Sequence, residues 1–485
     1  MENNSPARGP SWWQPVLFTA LAGGMGWGIR GQYGHELGAM VPGLLVSLTL
    51  ILLLFPAASS RQAARAVALG AVAMGIGGSM TYGQTIGLTQ NAPVIGNWEA
   101  WRWGMLGLAI KGGIWIAFCG AFLGIALGGK RYRPLEMLWC LLAMIGAYHI
   151  GIAVLNRPFE PGERLLPSIY FSASWHWQPN AALADLKPRE ECWGGLLFAL
   201  VALLVYTTAW KKDALPLRLG LWGLLGGALG FPMGQCLQSA HAWRPDFFQR
   251  GVLGHVTANF NWWNMMETTF GSVMGAVLGL GLWLNRTRIT PIDDSEDASA
   301  IPPVLSWAML AVHVALLVGK DVIGSDLAER IYDSSITLVL LPIVAILGCR
   351  ACAYLAVFPV ILLPIAAETV QETVYKGQHI DEVTGWLVYF AVPLLLSTVA
   401  ALWFAFRAPK GLSGRTLTRA ALAVCAWGYF TLNWAVFNYP WPWAPWTART
   451  PNGILFAISL LALTGLALFT RRTAPVQSAS SPSAS

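Results

Sequence analysis

The chain is 485 residues long, 55% hydrophobic and only 11% charged, with a formal net charge of +7 and a mean hydropathy of +0.53. Soluble domains are about 25% charged, so this composition excludes an ordinary soluble protein and points to a polytopic membrane protein. The basic residues are scattered through many short loops and form no groove-sized patch, so nucleic acid is not an expected partner. The expected partners are the lipid bilayer and a small polar solute, with homo-oligomerisation left open.

Crossing a hydrocarbon core takes roughly 20 apolar residues. In chain order, apolar runs broken by charged or Pro/Gly-rich turns lie near residues 15–29, 37–55, 64–83, 103–129, 135–155, 194–210, 216–233, 264–284, 304–319, 336–348, 351–367, 386–406, 419–437 and 453–470. They predict an all-α fold of twelve to fourteen transmembrane helices.

The tail 1–14 lacks the features of a signal peptide, so the first helix is expected to be retained. Residues 15–285 read as a glycine-rich core of about eight spans, and residues 1–300 hold 41 of the 51 glycines. A cytoplasmic linker, 286–303, carries the acidic run Asp293, Asp294, Glu296 and Asp297. Residues 304–470 read as a second bundle of about six spans, a supporting or oligomerising layer, and 471–485 as a small, polar, disordered tail. Lys and Arg divide 18 to 12 between alternate loops, with Lys111 inside a span. By the positive-inside rule both termini are cytoplasmic. The absence of eukaryotic targeting features suggests a bacterial inner membrane.

The stretch Gly23–Gly43 sets Arg30, Gln32, His35 and Glu36 between two apolar runs. Part of it recurs: Gly23 with Gly31-Gln32, Gly75 with Gly83-Gln84 and Gly226 with Gly234-Gln235 all read G-x7-G-Q, each at the expected close of an outward-running helix. The return helices carry glycines at close-packing spacing, Gly120, Gly124 and Gly128 in one and Gly271, Gly275 and Gly279 in another. Spans 1–2, 3–4 and 7–8 therefore read as three parallel helical hairpins around one polar chamber near the outer face.

A charge at the centre of a membrane helix costs about 2.5–3.5 kcal/mol, which makes Arg30, His35, Glu36, Lys111 and Glu267 functional candidates. Arg30 and Glu36 could instead complement helix dipoles or each other. Matching Trp103-x-Met105 to Trp263-x-Met265 places Lys111 one turn from the counterpart of Glu267, so these two could form an ion pair or each contact substrate, and Lys111 could instead snorkel to the interface. Gln32, Gln84 and Gln235 could ring a solute or cap their own helices. Trp98, Trp101, Trp103, Trp175, Trp177, Trp193, Trp243, Trp262, Trp263, Trp441, Trp443 and Trp446 crowd the outer side among Glu99, Arg102, His176, Arg244, Asp246, Asn259, Asn261 and Asn264. An interfacial belt accounts for many of them. Indoles beside amides and carboxylates also suit a sugar ring.

No ligand spacing supports a metal: His35-Glu36 lacks the second histidine of H-E-x-x-H, and Cys349-x2-Cys352 stands alone. No cofactor is expected. His149 and His313 read as satisfied core residues, and Cys192 with Cys236 as a pair that could bond on the outer side. The substrate-binding set is Arg30, Gln32, His35, Glu36, Gln84, Trp103, Lys111, Gln235, His241, Trp263 and Glu267. The expected function is a permease for a small polar solute such as a saccharide or polyol. The alternative is a membrane enzyme, a glycosyl- or acyltransferase or a hydrolase, with His35 or Glu36 as general base and Arg30 stabilising an anion.

Overall fold

The computed structural model describes residues 9–172, 177–178, 180–182, 188–291, 302–333, 337–377, 380–407, 411–436 and 452–470. Trp175, His176, the acidic run Asp293–Asp297, Trp441, Trp443, Trp446 and both chain ends, up to residue 8 and from residue 471, lie outside the described residues.

Every apolar run lies on a helix. In order these are α1 (Trp13–Arg30), α2 (Leu37–Leu54), α3 (Ser60–Ile76), the short α4 (Gly83–Gln90), α5 (Trp98–Leu127), α6 (Pro134–Leu155), α7 (Trp193–Val205) and α8 (Leu215–Trp243). There follow α9 (Trp262–Leu284), α10 (Pro303–Leu317), α11 (Thr337–Gly348), α12 (Ala351–Lys376), α13 (Glu382–Arg407), α14 (Gly414–Val436) and α15 (Gly453–Phe469). No strand occurs among the described residues, only the isolated bridges Ser59–Ser413 and Glu160–Leu165.

Eight described helices are long and apolar enough to cross a membrane, nine if the bent pair α3–α4 is one span. This is consistent with an integral membrane protein and lowers the expected twelve to fourteen. The shortfall has two physical causes. α11 and α15 are short, at 12 and 17 residues. α1, α8 and α14 are diluted by glycine and polar groups, which packing against protein tolerates better than lipid does.

Hydrogen bonds at the helix ends fix the layout. At one end, called lower here, Trp283 Nε1 donates to Pro10 O at 3.0 Å, Thr290 N to Leu127 O at 3.0 Å and Gly414 N to Ala58 O at 2.8 Å. At the other, upper, end Gly194 N donates to Asn156 Oδ1 at 2.9 Å and Asn261 N to Asn452 Oδ1 at 3.3 Å. α2 lies at the centre, with every residue from Gly38 to Leu53 buried, as a helix apolar on all sides must be. One hydrophobic cluster runs from Ala22 to Ala467 and joins α1–α3 to α11, α12, α14 and α15.

The spaced glycines let backbones touch. Gly23 and Gly271 face each other's carbonyls where α1 crosses α9, and below them Gly275 lies on Thr19 O while Thr19 Oγ1 donates to Gly275 O at 2.7 Å. Gly112 and Gly227 meet in the same way where α5 crosses α8, with Gly120 on Leu219 O and Gly124 on Pro216. The return helices thus make these crossings with α1 and α8, that is, α9 with α1 and α5 with α8. The three Gly-Gln positions do not share one local form: Gln32 follows the end of α1, Gln84 lies in the first turn of α4, and Gln235 sits inside α8, which continues unbroken to Trp243.

Candidate functional site

The site is built around a break in the third helix. After Ile76 the chain tightens into a 3-10 turn over Gly77–Ser79, unwinds through Met80–Tyr82 and restarts as α4, bent by 64° from its former course. Close approach dictates the position. Gly78 is pressed against His35 O and the Cα of Glu36, and Gly77 against Trp115, so neither place has room for a side chain. The turn after α1 and the turn after α3 are therefore in backbone contact, and unwinding leaves peptide groups beside them without helical partners.

Tyr82 joins the break to the first of two buried ion pairs. Arg30, 2% exposed at the end of α1, donates from Nη1 to Glu267 Oε1 at 3.1 Å and from Nη2 to Tyr82 Oη at 2.8 Å. Glu267, on α9, also accepts from Trp263 Nε1 at 3.1 Å and from Asn264 Nδ2 at 3.3 Å. Gly31 lies directly on the Glu267 carboxylate, and Gly28 on the Phe456 ring of α15. The guanidinium carbon stands 5.4 Å from the Trp27 ring, 5.6 Å from Tyr82 and 5.7 Å from Trp115, faces that attract a cation. Beneath Tyr82, Phe231 and Phe270 stack at 4.6 Å, and Phe270 meets Trp27 edge-on at 4.3 Å.

His35, in the turn between α1 and α2, takes a further guanidinium contact, with Arg30 Nη2 3.3 Å from Nδ1. Part of the ring is open to solvent, yet protein atoms crowd it and Arg30 and Arg189 repel a proton, so its pKa falls to about 3. A guanidinium can only donate, so Nδ1 is the acceptor of a neutral imidazole.

Thr81, the residue before Tyr82, joins the break to the second pair. Lys111, on α5 and 1% exposed, donates to Thr81 O at 2.6 Å, Thr85 Oγ1 at 2.8 Å, Ser172 Oγ at 3.1 Å and Glu191 Oε1 at 2.6 Å. Glu191 is itself held by Ser172 Oγ at 2.5 Å and Phe171 N at 3.0 Å. Of the alternatives for Lys111 and Glu267, a mutual ion pair does not form: Glu267 pairs with Arg30 and Lys111 with Glu191. The registration of Trp103 with Trp263 gave no information on a partner from the long connection between α6 and α7.

The C-terminal foot of that connection is docked on the break and on α4, and its middle on α5. Thr81 Oγ1 donates to Glu190 O at 3.3 Å, Arg189 N to Gln84 Oε1 at 3.1 Å, and Trp103 Nε1 to Tyr170 O at 2.9 Å. Lys111→Met is accordingly expected to cost about 3–5 kcal/mol, because it leaves the Glu191 carboxylate buried without its cation. The check is a lower unfolding midpoint together with faster proteolysis between residues 156 and 192.

The remaining candidates divide by place. Gln235, fully buried, donates from Nε2 to Thr89 Oγ1 at 2.7 Å and so ties α8 to the far end of α4. Gln32 and Glu36 lie in the turn that packs on Gly78. His241 stands apart from the ion pairs, stacked on Trp262 at 4.8 Å near Phe248. Trp98 and Trp243 meet at 4.8 Å on the same upper end. Cys192 and Cys236 are free thiols, and Cys192 Sγ contacts Ser79 O at 3.4 Å instead. His149 is exposed on α6, and His313 is buried with no partner for Nδ1 among the described residues, so neither is a satisfied core residue.

Tyr82, Thr81, Glu191 and the bonds of Asn264 to Gly28 O and Glu267 escaped the sequence reading. Gly77-Gly78 was a signal for a break, since paired glycines weaken a helix, and Glu191, two residues before α7, was a carboxylate at a span entrance. Comparison with protein-family models, curated proteins and solved structures found no match. The reading of this site accordingly rests on its own geometry.

Proposed function

We propose that the chain is a permease that binds a small polar solute, a saccharide or polyol by chemistry, at the broken helix. The observation that carries this reading is the unwound Met80–Tyr82 stretch, where consecutive residues offer a carbonyl to Lys111 at 2.6 Å and a hydroxyl to Arg30 at 2.8 Å. Transporters hold polar solutes where discontinuous helices present unwound backbone beside charged groups. The loop charges orient the break toward the outer face of a bacterial inner membrane, the aromatic groups at Trp98, Trp243 and Trp262 flank the approach, and the G-x7-G-Q segments read as parallel repeats around it. The crossings of α1 with α9 and of α5 with α8 act as the closed inner gate.

The same crossings favour a second reading, a membrane enzyme closed from below, with His35 or Glu36 as base and Arg30 stabilising a developing anion. Counterflow of labelled hexoses and hexitols in proteoliposomes separates the two. A permease exchanges at least one of them, loses exchange in Arg30→Ala, and slows about tenfold in Tyr82→Phe, where one hydrogen bond to a charged group is lost. Transfer or hydrolysis of a lipid-linked donor without exchange would instead establish the enzyme.

A further inference from the structure

The two ion pairs at the break, and two amides on α8 and α9, impose two conditions on a bound solute, one of charge and one of hydrogen-bond polarity. Arg30 and Lys111 are each in direct contact with one carboxylate, Glu267 at 3.1 Å and Glu191 at 2.6 Å, and all four side chains are almost wholly buried. The two pairs therefore sum to zero charge. Within these two pairs an added anion would meet no unneutralised cation and an added cation no unneutralised carboxylate, while each would lose its hydration.

Polarity is set by two amides whose orientation the surrounding bonds fix. The Thr89 hydroxyl donates its own proton to Ile86 O at 2.7 Å, so it must accept from Gln235 Nε2 at 2.7 Å. Gln235 Oε1 then has no donor among the described residues, although the side chain is fully buried. Asn264, 3% exposed, turns Nδ2 toward two pure acceptors, Gly28 O at 2.7 Å and Glu267 Oε2 at 3.3 Å, and its Oδ1 is likewise without a donor among the described residues. Arg30 Nε, beside the first ion pair, is a buried donor that likewise lacks an acceptor among the described residues. Buried polar groups are ordinarily satisfied, and exceptions call for a partner.

We infer that the solute is uncharged and rich in hydroxyl groups, and that Gln235 and Asn264 select it by accepting its O–H donors. A hydroxyl donates to an amide oxygen and accepts from Arg30 Nε, which neither a carboxylate nor an ammonium does alone. This rests on the permease reading, and the test keeps the two apart.

The hexose or hexitol that exchanges best is compared with its carboxylate and its amine, which for glucitol are gluconate and glucamine. Wild-type protein exchanges the neutral compound at least about tenfold faster than either ion. Gln235→Leu and Asn264→Leu each raise the half-saturating concentration about tenfold with the maximal rate less affected. Glu267→Gln or, if that variant does not fold, Glu191→Gln leaves one net positive charge and raises the rate for the carboxylate relative to the neutral compound. If the ions exchange within about twofold of the neutral solute, the neutrality rule is overturned while exchange itself upholds the permease. If both leucine variants behave as wild type, the two amides are not the acceptors. If folded wild-type protein exchanges none of the three, the permease reading and this inference fall together.

Discussion

Glu267→Ala is expected to lower the free energy of unfolding by about 3–5 kcal/mol and to abolish exchange of the neutral solute, because it leaves the Arg30 guanidinium, 2% exposed, without its counter-charge. Loss of both properties together would not distinguish a structural ion pair from a functional one. The double variant Arg30→Met with Glu267→Leu does. It removes both charges at similar volume, a replacement that is often neutral or stabilising, and the new methionine enters a cage already lined by the rings of Trp27, Tyr82 and Trp115. Stability measured by denaturation in mixed micelles should return most of the way to wild type, while counterflow stays absent. A double variant that exchanges normally would reduce the pair to a structural strut.

Gly227→Val is expected to be the most damaging single change away from the break. A Cβ at Gly227 would run into the carbonyl of Gly112, and behind it lies the backbone of Gly113 at 2.9 Å, so no side chain can rotate out of the way. Overpacking ordinarily costs about 1–3 kcal/mol, and with backbone on both sides of the α5–α8 crossing the upper end of that range or more is expected. Gly146→Val on α6 is the control, since nothing lies within 4 Å of its Cβ position, and it should stay within about 0.5 kcal/mol of wild type. The readout is the denaturation midpoint of each variant at equal lipid-to-detergent ratio. Equal midpoints for the two would mean that the crossing is looser than its carbonyl contacts imply.

The candidates that the sequence brought forward were those whose presence in an apolar run is itself costly. Arg30 and Glu267 stand out in the sequence alone because a charge there needs a reason, and they do meet. Lys111 stands out for the same cause, but its partner does not, since Glu191 is 80 residues away on a connection with no periodicity to register it. The three Gly-Gln dipeptides show the converse. Their common spacing is plain in the sequence, yet Gln84 serves a loop backbone and Gln235 a threonine of α4, because each amide bonds to what its own surroundings supply. Asn264 looked like one polar residue among several near Trp262 until Gly28 O and Glu267 fixed the direction of its amide.

By itself the sequence determined the membrane class and the positions of the helices, since the transfer of apolar side chains out of water and the internal pairing of backbone groups are properties of each segment alone. It also determined which helices could approach closely, because glycine spacing is local. Only the tertiary structure decided which cation faces which carboxylate, where the third helix unwinds, and which amide oxygens lack a donor among the described residues. Those outcomes depend on distances between residues far apart in the chain, and electrostatic and hydrogen-bond energies are set by distance and direction rather than by composition.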